Sequence, residues 1–124
     1  MTRVLSIGQC GFDHGSISSF LLRQFGAETV PATDLAHARR LLDPPPALVL
    51  VNRKLDADYS DGMEVIRALK EDPATRDVPV MLVSNYPEYH QQAAALGAVP
   101  GFGKADLTKP ETVARLEPYL GNVS

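Results

Sequence analysis

Two uninterrupted apolar runs dominate the hydrophobic pattern: Ala47-Leu48-Val49-Leu50-Val51, which ends on Asn52, and Val78-Pro79-Val80-Met81-Leu82-Val83, which ends on Ser84. Short apolar runs with no polar alternation predict strands buried on both faces of a parallel sheet. The run at 47–52 follows Pro44-Pro45-Pro46 and precedes charged residues, which predicts the central strand. Val4-Leu5-Ser6-Ile7 predicts a first strand of the same kind, and residues 27–32 a short strand placed at an edge, because Pro31 cannot donate to a ladder. A weaker strand is expected at 101–103, ahead of Lys104.

Between these runs the spacing changes to the helical period. Ile17, Phe20, Leu21 and Phe25 predict a first helix, with residues 8–15 as a glycine-punctuated loop, Ser16 as N-cap and Gly26 as terminator. Thr33 is placed to cap a helix carrying Leu35, Ala38, Leu41 and Leu42, which the proline triplet stops. Asp61 is the expected cap of a third helix with Met63, Val65, Ile66 and Leu69 on one face, after a polar loop from Arg53. Pro87 suits the first turn of a fourth, which carries Tyr89, Ala93 and Leu96 and ends at Gly97. Thr108-Lys109-Pro110-Glu111 has the form of a capping box opening a last helix with Val113, Leu116 and Leu120.

Strict alternation implies one α/β domain over 1–124: a (βα)5 doubly wound, flavodoxin-like parallel sheet of five strands with right-handed crossovers and the order 2-1-3-4-5. Function then belongs at the carboxyl ends of the strands. Those ends carry Gly8, Gln9, Asn52, Ser84 and Lys104.

Composition narrows the function classes. A formal charge of −3 gives no basic footprint for nucleic acid, and no apolar run approaches a membrane span. The N-terminal segment lacks a secretory h-region, so a cytoplasmic location is expected. The single cysteine, Cys10, excludes an internal disulfide and a multi-thiolate metal site. His14, His37 and His90 have no ligand-pair spacing, and neither a cofactor nor a metal is expected.

In combination, four fragments resemble the receiver domains of two-component response regulators over essentially the whole chain. They are the strand 46–52, the Asp61-Gly62 that opens a helix, the strand 78–84 ending on a hydroxyl, and Ala95-Leu96-Gly97-Ala98 followed by Lys104. The resemblance implies bacterial two-component signalling. It places Asn52 at the phospho-acceptor position, Ser84 at the switch hydroxyl and Lys104 at the phosphate-contacting lysine.

The departures set the expected mechanism. Gly8 and Gln9 stand where the family keeps the acidic pair that holds Mg²⁺, and neither brings negative charge. Asn52 replaces the acceptor carboxylate with a poor nucleophile. The loop after Asn52 is about two residues longer than in the family, and Phe102-Gly103-Lys104 leaves no clear aromatic switch. The expected role is a non-enzymatic, stand-alone interaction module that works without an aspartyl phosphate. Its signalling partner would use the face of the fourth helix, fifth strand and fifth helix, or the extended loop; homodimerisation through that face is open. Tyr86, Tyr89 and Tyr119 either belong to that face or pack into the core. Lys104 either pairs with Asp13, Asp56 or Asp58, or is left facing two carboxamides in a positive, anion-holding pocket.

The rival class is a cysteine-dependent phosphoryl-transfer protein using Cys10. Cys-x5-Arg, as in low-molecular-weight tyrosine phosphatases, fails because the count from Cys10 reaches Ser16. The IIB components of sugar phosphotransferase systems are a closer likeness, with Cys10-Gly11 followed by Gly15-Ser16 and Ser18-Ser19. An inert small residue is the plainer reading of Cys10.

Overall fold

The computed structural model describes residues 2–121; residues 1 and 122–124 of the predicted domain lie outside the described residues. Five parallel strands, β1 (Arg3–Ile7), β2 (Glu28–Ala32), β3 (Leu48–Asn52), β4 (Val80–Val83) and β5 (Val99–Phe102), form one sheet in the order β2-β1-β3-β4-β5. The helices α1 (Gly11–Phe25), α2 (Leu35–Arg39), α3 (Gly62–Glu71), α4 (Pro87–Ala95) and α5 (Pro110–Leu120) alternate with them. The sheet order and the edge position of β2 are as the sequence predicts.

Strand periodicity divides the core in two. Leu5, Ile7, Val49, Val51, Val80 and Leu82 point to one face, where α2, α3 and α4 cover them with Ala38, Met63, Ile66, Leu69 and Ala93. Val4, Leu48, Leu50, Met81 and Val83 point to the other, against Ile17, Phe20, Leu21 and Phe25 of α1 and Leu116 and Leu120 of α5. Leu48, Val49, Leu50 and Val51 have no exposed surface, which is why the central strand reads as continuous apolar sequence. Each such side chain contributes about 1.5–3 kcal/mol of burial.

Helix starts differ from expectation. α1 begins at Gly11 with Cys10 as its N-cap, so most of the predicted loop is helical. Ser16 lies inside this helix and donates to Phe12 O (3.2 Å). α2 is capped by Asp34, which accepts from His37 N (2.8 Å), and it stops at Arg39, before Leu41 and Leu42. Thr33 is not the cap; its N–H donates to His37 Nδ1 (3.1 Å). The capping box at Thr108 does not form: a 3-10 turn over Lys104–Asp106 leads to α5, whose N-cap is Lys109 without a side-chain bond. There Thr112 Oγ1 donates to Asp106 O (2.7 Å) and Pro110 fills the first turn. The predicted cap at Asp61 is present, accepting from Met63 N (2.9 Å).

Candidate functional site

Asn52 is the last residue of β3, in register with Val83 of β4. Its Nδ2 group donates to Gly8 O (3.1 Å) and to Lys54 O (2.8 Å). Two carbonyl acceptors define which end of the carboxamide faces them. The side chain thus ties the end of β1 to the end of β3 and to the loop that follows.

That loop is compact. Lys54 and Asp61 form an antiparallel bridge, Leu55 N donates to Ser60 O (2.9 Å) and Tyr59 turns the chain at φ 59°. Leu55 is 1% exposed and lies so close to Gly8 (φ 79°) that a Cβ there would overlap its side chain. Two of the loop acids are committed elsewhere. Asp61 caps α3 and lies 3.3 Å from Arg53 Nη1, while Asp58 accepts from Ser60 N (3.0 Å).

Lys104 pairs with Asp13: Nζ lies 2.7 Å from Oδ2. Of the three acids offered for it by the sequence, this one comes from α1, and the alternative of a lysine left facing only carboxamides is therefore not the one formed. The Lys104 hydrogen bond, with help from the Cys10 thiol 3.2 Å away, holds the Asp13 carboxyl below its ordinary value of 3.8, against the opposing effect of burial. A depressed carboxyl stabilises the fold above the unfolded value, and that stability is lost as pH falls through the folded one. Asp13→Asn is therefore expected to lower stability by about 1 kcal/mol or less near neutrality. The difference from the parent should close as pH drops below 3.8; urea midpoints across the acid range provide the measurement.

Ser84 is 7% exposed; its Oγ accepts from Tyr86 N (3.2 Å) and its carbonyl lies 2.7 Å from His90 Nε2. That second contact requires Nε2 to carry the imidazole proton. Asn52, Arg53, Lys54, Ser84, Tyr86, Tyr89 and Lys104 share a pocket of about 210 Å³. Gln9 is not among them. It lines a separate cavity of about 150 Å³ with Pro31, Thr33, His37 and Asp56. Both of its amide atoms are buried there without a protein partner. Gly8 reaches the site only through its carbonyl.

Sequence reasoning missed the rim of the pocket. The Arg53 guanidinium lies 4.3 Å from the centroid of the Tyr89 ring, and Tyr86 meets Tyr89 edge-on at 6.0 Å and 87°. Tyr119 is elsewhere, packed against the core beneath α1 and α5. Among the described residues no group of three or more His, Cys, Asp or Glu side chains could hold a metal ion. With Asp13 engaged by Lys104, the carboxylate oxygens that Mg²⁺ requires are not assembled beside Asn52. Cys10 caps α1 through Sγ, which accepts from Asp13 N (3.4 Å).

No protein-family model matches the chain. The phosphate regulon transcriptional regulatory proteins PhoB of Klebsiella pneumoniae and of Escherichia coli strain K12 are each 32% identical over 111 residues, a match covering 85% of the chain. The chain spans 46% of the length of these curated relatives. Among solved structures, the Mn²⁺-bound form of response regulator Rcp1 superposes with a TM-score of 0.77 at 20% identity, covering 100% of this chain and 98% of that one. The signal receiver domain of a DNA-binding response regulator from Colwellia psychrerythraea 34H superposes at 0.78 with 23% identity, covering 95% and 97%. A sensor protein from Polaromonas sp. JS666 reaches 0.80 at 22% identity, covering 96% and 95%.

Proposed function

Because the chain is a receiver domain of the response regulator type, we propose that it signals by protein–protein interaction, without an aspartyl-phosphate switch. The observation that carries this reading is the bonding of Asn52: its amide nitrogen is spent on Gly8 O and Lys54 O. The group that occupies the acceptor position thus acts as a brace between two strand ends. A carboxamide oxygen is a weak nucleophile in any case.

Gly8 and Gln9, at the positions of the metal-binding acids, supply a carbonyl and a separately buried amide. Ser84 and Lys104 remain beside the pocket in internal roles, one capping the turn at Tyr86 and the other neutralising Asp13. The domain then works as a non-enzymatic module, cytoplasmic, with a signalling partner on the face of α4, β5 and α5 or on the loop 53–61. A homodimer on the first of these faces belongs to the same proposal. No helix of the described residues is long and apolar enough to cross a membrane.

Incubation with acetyl phosphate and Mg²⁺, or with beryllofluoride, tests it. We expect no phosphoryl adduct by intact mass and no Mg²⁺-dependent change in melting temperature. An adduct would overturn the proposal, and an adduct abolished by Cys10→Ser would transfer the chemistry to the thiol.

A further inference from the structure

The solvent face of α1 is poor in charge. Of the 15 residues of this helix only Asp13 and Arg23 carry a formal charge, and Asp13 is held by Lys104. By contrast α3 leaves Glu64, Arg67 and Glu71 exposed, and α5 leaves Glu111, Arg115 and Glu117. Phe12 (83%) and Leu22 (54%) of α1 are two of the four large apolar side chains left exposed among the described residues. Arg23, near the other end of the helix from Phe12, is exposed and makes no ion pair among the described residues. A helix face with one charge and an exposed ring has the composition of a covered surface rather than a solvated one. Phe12, Ser16, Ser19 and Arg23 line one open groove of about 600 Å³ together with Leu107 and Thr108.

We propose that this face pairs with the same face of a second copy of the chain, the two α1 helices lying antiparallel. Electrostatic complementarity at a fixed spacing selects the occupant. Phe12, Ser16, Ser19 and Arg23 are separated by four, three and four residues, the spacing of a seam between two helices, which keeps all four on one side of α1. That spacing is the same read in either direction, and its two ends are a ring and a cation. A two-fold axis through the middle of the helix therefore sets Phe12 of each copy against Arg23 of the other and Ser16 against Ser19, so both copies make the same contacts at once. The ring face attracts the guanidinium, and the small serines let the helix axes approach to about 8–10 Å. Parallel pairing would instead bring the two Arg23 side chains together and repel. A foreign partner would have to supply a cation and a ring about 16 Å apart on one line; α1 itself already carries both. The seam is small beside a standard interface, so the dimer is a weak one. Because α4 packs on the opposite side of the sheet from α1, the pairing leaves α4 free and does not rest on the phosphate-free reading above.

Sedimentation velocity on the full chain, from about 10 µM to about 1 mM, tests the pairing. A monomer is expected at the low end, with a dimer fraction that rises toward the high end. Phe12→Arg sets two cations against each other and should weaken the dimer at least about tenfold. Adding Arg23→Phe to that variant exchanges ring and cation, and should bring dimerisation back to within about threefold of the parent. Gln91→Arg, at an exposed position of α4, should leave dimerisation unchanged. All three positions are exposed, so the variants are expected to melt close to the parent. A parent that stays monomeric at the highest concentration, a dimer indifferent to Phe12→Arg, a double variant as weak as the single one, or a dimer that Gln91→Arg breaks would each overturn the antiparallel α1 seam.

Discussion

Replacing Asn52 with aspartate, which puts an acid at the proposed acceptor position, is expected to destabilise the domain by about 1–3 kcal/mol and to leave it unphosphorylated. The amide nitrogen donates two hydrogen bonds, to Gly8 O at 3.1 Å and Lys54 O at 2.8 Å. A carboxylate has no proton to give. Two carbonyl oxygens would then face a third, negatively charged oxygen at the mouth of a half-buried pocket. Each lost bond costs on the order of 1 kcal/mol, and a desolvated acceptor left unpaired adds to that. The melting temperature should fall by about 4–10 °C for a domain of this length. The penalty has a definite sign with pH. The neutral carboxyl carries one O–H, so the variant should regain part of its deficit as pH falls through the carboxyl's own titration, and never all of it, because two acceptors need two donors. Phosphorylation should stay absent, since Gly8 and Gln9 bring no charge and Asp13 is held by Lys104 at 2.7 Å. Differential scanning across the acid range, with intact mass after acetyl phosphate, measures both halves. A parent-like melting temperature would show that the Asn52 brace is energetically idle.

Sequence reasoning reached the sheet more readily than the helix ends, and the physical reason is visible in single residues. Leu48 through Val51 are buried on both sides, so burial alone dictates their identities and the pattern is unambiguous. Pro31 announces the edge because a missing donor has only one tolerable place in a sheet. Asp61 is legible because an acid before glycine and a helical apolar period leaves few alternatives. Ser16 misled because Gly11 and Gly15 are poor helix formers. Packing of Ile17, Phe20 and Leu21 against the sheet outweighs that penalty and extends α1 back to Gly11. Thr108 misled in the opposite direction, since Thr-x-x-Glu is only a local signal and the 3-10 turn after Lys104 sets where α5 starts. In the site, the choice among Asp13, Asp56 and Asp58 for Lys104 rests on a contact spanning 91 positions, which local pattern does not encode. The separation of Gln9 from Asn52 is of the same kind: Gly8 and Gln9 line a cavity apart from the Asn52 pocket, and Gly8, where the chain turns at φ 79°, meets Asn52 through its carbonyl alone.

Gly62→Ala should be about as damaging as the loss of a large core side chain, roughly 3 kcal/mol, although it adds only a methyl group. A Cβ at Gly62 would overlap Asn52 O and lie 3.0 Å from Asn52 C and 3.1 Å from Arg53 O. All three are backbone atoms, so no rotamer change relieves the clash. Gly62 N also donates to Arg53 O (2.8 Å), which holds the first turn of α3 against the end of β3. To admit the methyl group α3 must tilt away, loosening Met63, Val65 and Ile66 in the core cluster under that helix. Gly15→Ala is the matched control: it lies inside α1 and nothing is within 4 Å of a Cβ there, so a gain of about 0.5–1 kcal/mol from helix propensity is expected. Urea midpoints at constant m report both changes. Because Gly62 presses on the carbonyl of the residue whose amide braces Gly8 and Lys54, the two lesions share one strand end. The Asn52→Asp, Gly62→Ala double variant should therefore lose less than the sum of the singles, by about 0.5 kcal/mol or more. Strict additivity would mean that the position of α3 and the Asn52 brace are independent, and that α3 could shift without disturbing the pocket.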